Sequence, residues 1–212
     1  MATIVEALRN AVGKLNEGQF SEVERIGRDV LEHEPANADA LHLLGLSARK
    51  QEQPEAAVEF FRRAIASRPD KPIYHFELGI ALRMTGDVEG AFAAYEQAIA
   101  LEPQMHAAHV NGGAALDDLG RNEEAVAWYH NALRLKPDCV NTLTNLGNSL
   151  QTLERFDESI ASYRRALELD PAMNTAHWNF AMALLRSGHF REGWEQYEWR
   201  CAANELGRLR SP

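Results

Sequence analysis

The chain has 212 residues, 45% of them hydrophobic, and a formal net charge of −9 at pH 7. An acidic chain is poorly suited to bind a nucleic-acid backbone, which requires clustered Lys and Arg. Its two cysteines, Cys139 and Cys201, are too few for a disulfide framework and favour a reducing compartment. No apolar run is long enough to cross a membrane, and the first residues lack the pattern of a signal peptide. We therefore expect a cytoplasmic protein.

A proline recurs at a constant interval along the chain, and other residue types recur in phase with it. When this proline is numbered position 32 of a repeat, position 8 is mostly glycine, position 20 is small, position 24 is mostly aromatic and position 27 is mostly alanine. A fixed period of this kind is typical of stacked repeats and not of an ordinary helical bundle. The prolines are Pro35, Pro69, Pro103, Pro137 and Pro171.

In chain order the period predicts six repeats, each containing two amphipathic helices. The first repeat is degenerate, with Gly27 where an aromatic residue is expected, and its polar Asn10 and Lys14, where later repeats are apolar, fit a terminal cap that meets water on one side. The fourth has Gly112 where leucine is usual, which predicts a small void or a closer helix approach. We expect one domain over residues 1–207 and a tail at 208–212. The repeats run over residues 4–37, 38–71, 72–105, 106–139, 140–173 and 174–207.

This pattern resembles the tetratricopeptide repeat, a helix-turn-helix unit of about 34 residues. The resemblance implies an all-α fold, a right-handed α-solenoid in which the repeats stack into a superhelix. It also implies a function in protein–protein recognition. In that family the first helix of each repeat lines a concave surface, and positions 2, 5, 6, 9, 12 and 13 point into it. We call the surface formed by these six positions the first-helix face.

The last repeat is unusually aromatic and closes with a distinctive string. It looks like the final repeat of bacterial tetratricopeptide proteins in which a glycosyltransferase domain follows, and the matching residues are Gly193, Trp194, Tyr197, Glu198, Trp199 and Arg200. The tail that follows is too short to be a catalytic domain. The chain is then either part of a larger protein or a free-standing repeat protein. Trp194 and Trp199 are predicted to form a terminal interface, or else to cap the last helix pair.

Nothing in the sequence predicts catalysis, a cofactor or a metal site. Three of the eight histidines, His75, His109 and His177, occupy position 4, where a bulky packing residue is usual. Equivalent residues of successive repeats lie about 10 Å apart, too far to share a zinc ion. We interpret these histidines as packing residues. Phosphate loops, nucleophile elbows and zinc-protease motifs are also missing from the sequence.

Asparagines recur at position 6, on the predicted first-helix face. Asn111, Asn145 and Asn179 occupy this position in three successive repeats, and Asn141 and Asn148 flank the second of them. A carboxamide can pair with both the C=O and the N–H of a peptide, whatever its side chains. Similar columns line the repeats of the O-linked N-acetylglucosamine transferases, where they hold extended polypeptide. The alternative is a solvated polar stripe.

The same face carries cations in the second and third repeats. Arg49, Lys50 and Arg83 occupy positions 12 and 13, whereas the fourth repeat has Asp117 and Asp118 there. These residues either recognise charged side chains of a bound segment or are simply solvated. A carboxylate clamp of the chaperone-binding type is disfavoured, because the residues at its positions do not match.

We expect a non-catalytic scaffold that binds a protein or an extended peptide segment in the concave groove. One alternative is the acceptor-binding region of a glycosyltransferase whose catalytic domain is absent from this chain. Another is a structural scaffold that self-associates into a homo-oligomer through its terminal or convex surfaces.

Overall fold

The computed structural model describes residues 3–208, with side chains described as far as residue 199. Predictions on Arg200, Cys201 and most of the tail therefore lie outside the described side chains. Residues 3–208 form twelve α-helices and no strand. The helices are α1 (Ile4–Asn16), α2 (Phe20–His33), α3 (Ala38–Lys50), α4 (Pro54–Ser67), α5 (Pro72–Thr85), α6 (Val88–Leu101), α7 (His106–Asp118), α8 (Asn122–Leu135), α9 (Val140–Thr152), α10 (Phe156–Leu169), α11 (Asn174–Arg186) and α12 (Phe190–Arg208).

The helices divide between two compact units, residues 1–111 (unit 1) and residues 112–212 (unit 2), and helix α7 contains the division. Within unit 1, α1 packs on α2, α3 on α4 and α5 on α6. Within unit 2, α9 packs on α10 and α11 on α12. Each unit is thus a stack of helix-turn-helix pairs, and the predicted all-α solenoid class is confirmed. The prediction of one continuous domain over residues 1–207 stays a prediction.

The turn inside each repeat requires a left-handed residue at position 15. Gly86 has φ 87° there, and Gly18, Gly120 and Gly188 are similar. In two repeats the position is a glutamate instead, Glu52 with φ 57° and Glu154 with φ 59°. Glycine adopts this conformation without steric cost, whereas a residue with a Cβ does not. The first helix of each repeat therefore ends one or two residues before this position.

The small residue at position 8 admits the aromatic ring at position 24 of the same repeat. A Cβ added at Gly147 would lie 2.5 Å from a ring carbon of Tyr163, and one added at Gly79 would lie 2.5 Å from Tyr95. Contacts this short do not occur between real atoms, so only glycine fits. The two helices of a repeat thus cross closely at the glycine, and the ring fills the wedge between them. The same contact joins Gly45 to Phe61 and Gly113 to Tyr129.

Two glycines that looked irregular in the sequence are also tightly packed. A Cβ at Gly112 would overlap the indole ring of Trp128, so the expected void is filled by that ring. A Cβ at Gly27 would lie 2.8 Å from the side chain of Leu44, in the next repeat. Gly27 is therefore buried beneath the following helix, with no room there for the aromatic ring of the other repeats.

The histidines at position 4 hold the loop that precedes their helix. The Nε2 atoms of His75, His109 and His177 each lie 3.0 Å from the carbonyl oxygen of the proline six residues earlier, which is Pro69, Pro103 or Pro171. The interpretation as packing residues was incomplete, because the ring also makes a directional bond. This bond fixes the path of the chain between repeats, where no helical hydrogen bond can do so.

Candidate functional site

The first helices of successive repeats lie side by side within each unit. Helix α1 contacts α3 and α3 contacts α5 in unit 1, and α9 contacts α11 in unit 2. The six positions of the first-helix face lie on these helices, so each unit presents a first-helix face of its own.

Unit 1 has an open groove of about 490 Å³ between α1 and α3. All ten residues that line it occupy first-helix positions, and seven of them are apolar or uncharged aromatic. A volume of this size is typical of sites that bind small ligands or side chains. The lining residues are Val5, Leu8, Arg9, Val12, Leu15, Asn16, Asp39, His42, Leu43 and Leu46.

The groove exposes apolar side chains to solvent. Val5 is 65% exposed and Val12 is 45% exposed. Apolar exposure continues at first-helix face positions of α5, with Ile73 38% and Met84 46% exposed. The sequence analysis predicted none of these residues as site residues. The available signal was the presence of valine and leucine at positions 2, 5 and 9 of the first repeat, three positions of the first-helix face.

Asp39, at the α3 N-terminal end of the groove, already has polar partners. Asp39 accepts a hydrogen bond of 2.7 Å from the Tyr74 hydroxyl and forms an ion pair of 3.3 Å with Arg68. Burial lowers the pKa of His42 to about 4, so its ring is neutral at physiological pH. The ring lies 4.9 Å from that of Tyr74, centroid to centroid, and serves as part of the groove floor.

At the other end of α3, an ion pair lies across the face. Arg49 Nε is 3.0 Å from Glu77 Oε2, and the two side chains are 25% and 11% exposed. Burial raises the pKa of Glu77, and Arg49 opposes that rise. Of the three predicted cations, Arg49 is thus engaged with Glu77, and Lys50 and Arg83 are exposed to solvent. Their assignment to peptide binding stays a prediction.

Unit 2 presents a different surface, made of carboxamides. Asn148 Oδ1 accepts a hydrogen bond of 2.6 Å from the Tyr163 hydroxyl and one of 2.8 Å from Asn179 Nδ2. The buried tyrosine therefore fixes Asn148, and Asn148 fixes Asn179. Asn145 lies half-buried and Asn141 exposed on the same helix, α9. The structure brings these four predicted residues onto one face of unit 2.

Asn111 lies in unit 1, where its Nδ2 donates 2.9 Å to the carbonyl oxygen of Ala107 in its own helix. Part of its donor capacity is thus used locally, as occurs often for asparagine in helices. Its predicted role in peptide binding stays a prediction.

The aromatic residues of the last helix pair separate into exposed and covered side chains. Trp194 is 55% exposed and Phe190 is 62% exposed. Trp199 is half-buried and stacks on His177, with ring centroids 3.9 Å apart and planes at 16°. Trp194 thus remains available as the predicted terminal interface, whereas Trp199 has a packing role within unit 2.

Two further findings concern metal binding and membrane insertion. Among the described residues, no group of three His, Cys, Asp or Glu side chains is arranged to hold a metal ion. None of the helices in residues 3–208 combines the length and hydropathy needed to cross a membrane.

Comparison with protein families identifies the repeat. Models described as "Tetratricopeptide repeat" match residues 23–72, 42–104 and 140–173, and one described as "TPR repeat" matches residues 113–153. Together they cover well over half of the chain. The chain belongs to the tetratricopeptide repeat family. No curated protein sequence matches it.

Solved structures of other tetratricopeptide repeat proteins share the fold. A crystal structure of MamA is 24% identical, with a TM-score of 0.73, and covers 76% of this chain and 94% of its own. MamA from Desulfovibrio magneticus RS-1 is 19% identical, with a TM-score of 0.75, over 82% of this chain and 97% of its own. YrrB, described as a TPR protein with an unusual peptide-binding site, is 17% identical, with a TM-score of 0.73, over 82% of this chain and 90% of its own.

Proposed function

We propose that this tetratricopeptide repeat protein is a non-catalytic interaction scaffold that binds extended polypeptide segments on its first-helix faces. The observation that carries the proposal is the open groove of unit 1, which is built from the first-helix positions of α1 and α3 alone. The description of YrrB, a protein of the same fold, as having a peptide-binding site supports it.

The driving force in unit 1 is burial of apolar surface. Val5 and Val12 are largely exposed, and a bound side chain would remove them from water. Each Å² of apolar surface removed contributes about 25 cal/mol, so one well-covered valine contributes on the order of 1 kcal/mol. The ordering of a flexible segment opposes this gain, so several such contacts are needed for stable binding.

Unit 2 offers hydrogen bonds instead. Because the acceptor of Asn148 is occupied by Tyr163 and Asn179, Asn148 presents its N–H donors, while Asn179 keeps its own oxygen as an acceptor. A donor and an acceptor held side by side match the C=O and N–H of an extended peptide. The internal bonds lower the entropic cost of binding, since both carboxamides are already oriented.

The test is binding of an array of twelve-residue peptides by the intact protein and by a variant, Val12→Gln. A polar side chain at Val12 should weaken binding of peptides that use the groove by roughly tenfold, because it removes apolar contact and places an amide in the groove. The matched control is Leu101→Gln, since Leu101 is 44% exposed, as Val12 is 45%, but lies at the end of α6. If Val12→Gln and Leu101→Gln bind every peptide as the parent does, the groove is not the site.

The proposal includes a cytoplasmic location, which the free thiol of Cys139 supports. Self-association is a second candidate function, favoured by the exposed ring of Trp194. Light scattering over a concentration series tests it, and a molar mass that stays monomeric at every concentration would exclude it.

A further inference from the structure

We propose that the groove of unit 1 selects segments in which an acidic side chain lies two residues from an apolar one, with the carboxylate received by Arg49 and Lys50. The inference rests on the proposed function, because it names the kind of segment that the groove accepts.

The charges that remain available along the groove are positive. Asp39, the acidic residue that lines it, is already paired with Arg68 and Tyr74. Arg49 pairs with Glu77 through Nε, and a guanidinium carries four further N–H donors on its two terminal nitrogens. Lys50 is exposed and forms no ion pair within 4.0 Å among the described residues.

The balance of charge at this end favours an anion. Glu77 supplies one negative charge against the two positive charges of Arg49 and Lys50, and it is nearly buried whereas Lys50 faces solvent. Arg9, also exposed, adds a third cation to the groove lining. The planar guanidinium of an arginine matches the geometry of a carboxylate, and a basic segment would be repelled by these cations.

The spacing follows from helix and strand geometry. Leu46, in the groove lining, and Lys50 are four residues apart on α3, which is about 6 Å along the helix axis. In an extended segment, side chains two residues apart point to the same side and are separated by about 6.6 Å. When an extended segment lies along α3 with an apolar side chain against Leu46, the side chain two residues further along the segment therefore lies beside Arg49 and Lys50.

The experiment uses three labelled peptides with blocked ends that alternate leucine and serine and differ at one residue. That residue, two after a leucine, is Glu, Gln or Lys. Fluorescence anisotropy titrations of the full chain should give about fivefold tighter binding for the Glu peptide than for the Gln peptide, and the weakest binding for the Lys peptide. A fourth peptide, with a free C-terminal carboxylate in place of the Glu side chain, distinguishes a side-chain carboxylate from a chain terminus. Tighter binding of the fourth peptide than of the Glu peptide would overturn the assignment to a side chain.

The decisive variant is Lys50→Glu, at an exposed residue whose replacement leaves the helix intact. It should abolish or reverse the preference for Glu over Gln. The control Lys136→Glu changes the net charge equally at an exposed position of unit 2 and should keep the preference. Salt at 1 M should also remove it, since the Debye length falls to about 3 Å.

The outcomes separate the two proposals. Equal binding of the Glu and Gln peptides, with both lost in Val12→Gln, would overturn the acidic preference and leave peptide binding in the groove standing. A preference that survives Lys50→Glu would also overturn the assignment to Arg49 and Lys50. No binding of any peptide to the parent protein would overturn peptide binding in this groove together with the preference.

Discussion

The two units share the same packing of helix pairs, which we call the frame, and differ in their first-helix faces. In both, a glycine at position 8 receives an aromatic ring from position 24 of the same repeat. The first-helix face of unit 1 carries an apolar groove and the Arg49–Glu77 ion pair, whereas that of unit 2 carries hydrogen-bonded carboxamides. The comparison teaches that packing between the helices determines the frame, while the outward positions vary without disturbing it. The fold therefore determines where a ligand lies, and the face determines what is bound.

The largest effect is expected from breaking the ion pair of unit 1. Arg49→Leu leaves the carboxylate of Glu77, which is 11% exposed, without its cation. Removing one partner of a buried pair is strongly destabilising, and because Arg49 is 25% exposed we expect a reduced loss of about 2–4 kcal/mol in the free energy of unfolding. The double variant Arg49→Leu/Glu77→Leu should recover most of the loss, since apolar side chains suit this face. Denaturant unfolding measures both.

The same variant should show a definite pH dependence. Burial raises the folded-state pKa of Glu77 above its ordinary value of 4.5, so the folded protein binds the proton more tightly than the unfolded chain. Stability is then greatest below pH 4.5 and falls as the pH rises through the folded pKa. Because Arg49 opposes the rise, its loss should make the destabilisation larger at pH 7 than at pH 4. A loss that is independent of pH would contradict this account.

An intermediate effect is expected from the frame that the units share. A methyl group at Gly79 or Gly147 would lie 2.5 Å from the ring of Tyr95 or Tyr163. Gly79→Ala and Gly147→Ala should each lower the free energy of unfolding by about 1–3 kcal/mol, because the ring must move in a packed interior. Thermal unfolding of the two variants is the measurement. Similar losses would show that both units depend on the same glycine–ring contact, and a loss in only one unit would show that they do not.

Gly13 provides the control for these substitutions. It lies within α1, and a methyl group there would meet nothing within 4 Å. Gly13→Ala should raise stability by about 0.5–1 kcal/mol, because alanine is the better helix former. If Gly13→Ala were destabilising, the losses at Gly79 and Gly147 would no longer be evidence of overlap with the ring.

Much of the frame could be predicted from the sequence, because it depends on local rules. The period of the prolines predicts where each helix pair begins, and the observed first helices do begin one such period apart. The pairing of a small residue at position 8 with a ring at position 24 also followed from the pattern. Both depend on residue size and helix geometry within a single repeat.

The faces were harder to predict, because their contacts join residues that are distant in the sequence. Helical spacing places Val12 on the apolar side of its helix, but spacing alone does not distinguish a covered side chain from one that lines an open groove. The bond from His75 to Pro69 required the path of a loop. Glu77 and Asn179, which pair with Arg49 and Asn148, likewise come from neighbouring repeats, through side-chain conformations that a pattern does not contain.

The smallest effect, and the most discriminating between the units, concerns two tyrosines at position 24. The Tyr163 hydroxyl in unit 2 donates to Asn148, whereas the buried Tyr95 hydroxyl in unit 1 has no hydrogen-bond partner among the described residues. The residue of the Tyr95 repeat that corresponds to Asn148 is Ile80, which offers no acceptor. Burial raises the pKa of Tyr95 to about 12, so both hydroxyls are neutral at physiological pH.

Tyr163→Phe should therefore cost about 1 kcal/mol, the usual net contribution of such a bond. Tyr95→Phe should be neutral or stabilising by up to about 1 kcal/mol, because it removes a buried hydroxyl that lost its water on folding and gained no partner. The two substitutions delete the same atom from the same repeat position, so ring packing cancels in the comparison. Unfolding free energies that fall equally in the two variants would show that Tyr95 finds a partner in solution. Effects of opposite sign on the free energy of unfolding would show that the Tyr163 hydroxyl stabilises unit 2 through its bond to Asn148. The Tyr95 hydroxyl makes no such contribution in unit 1.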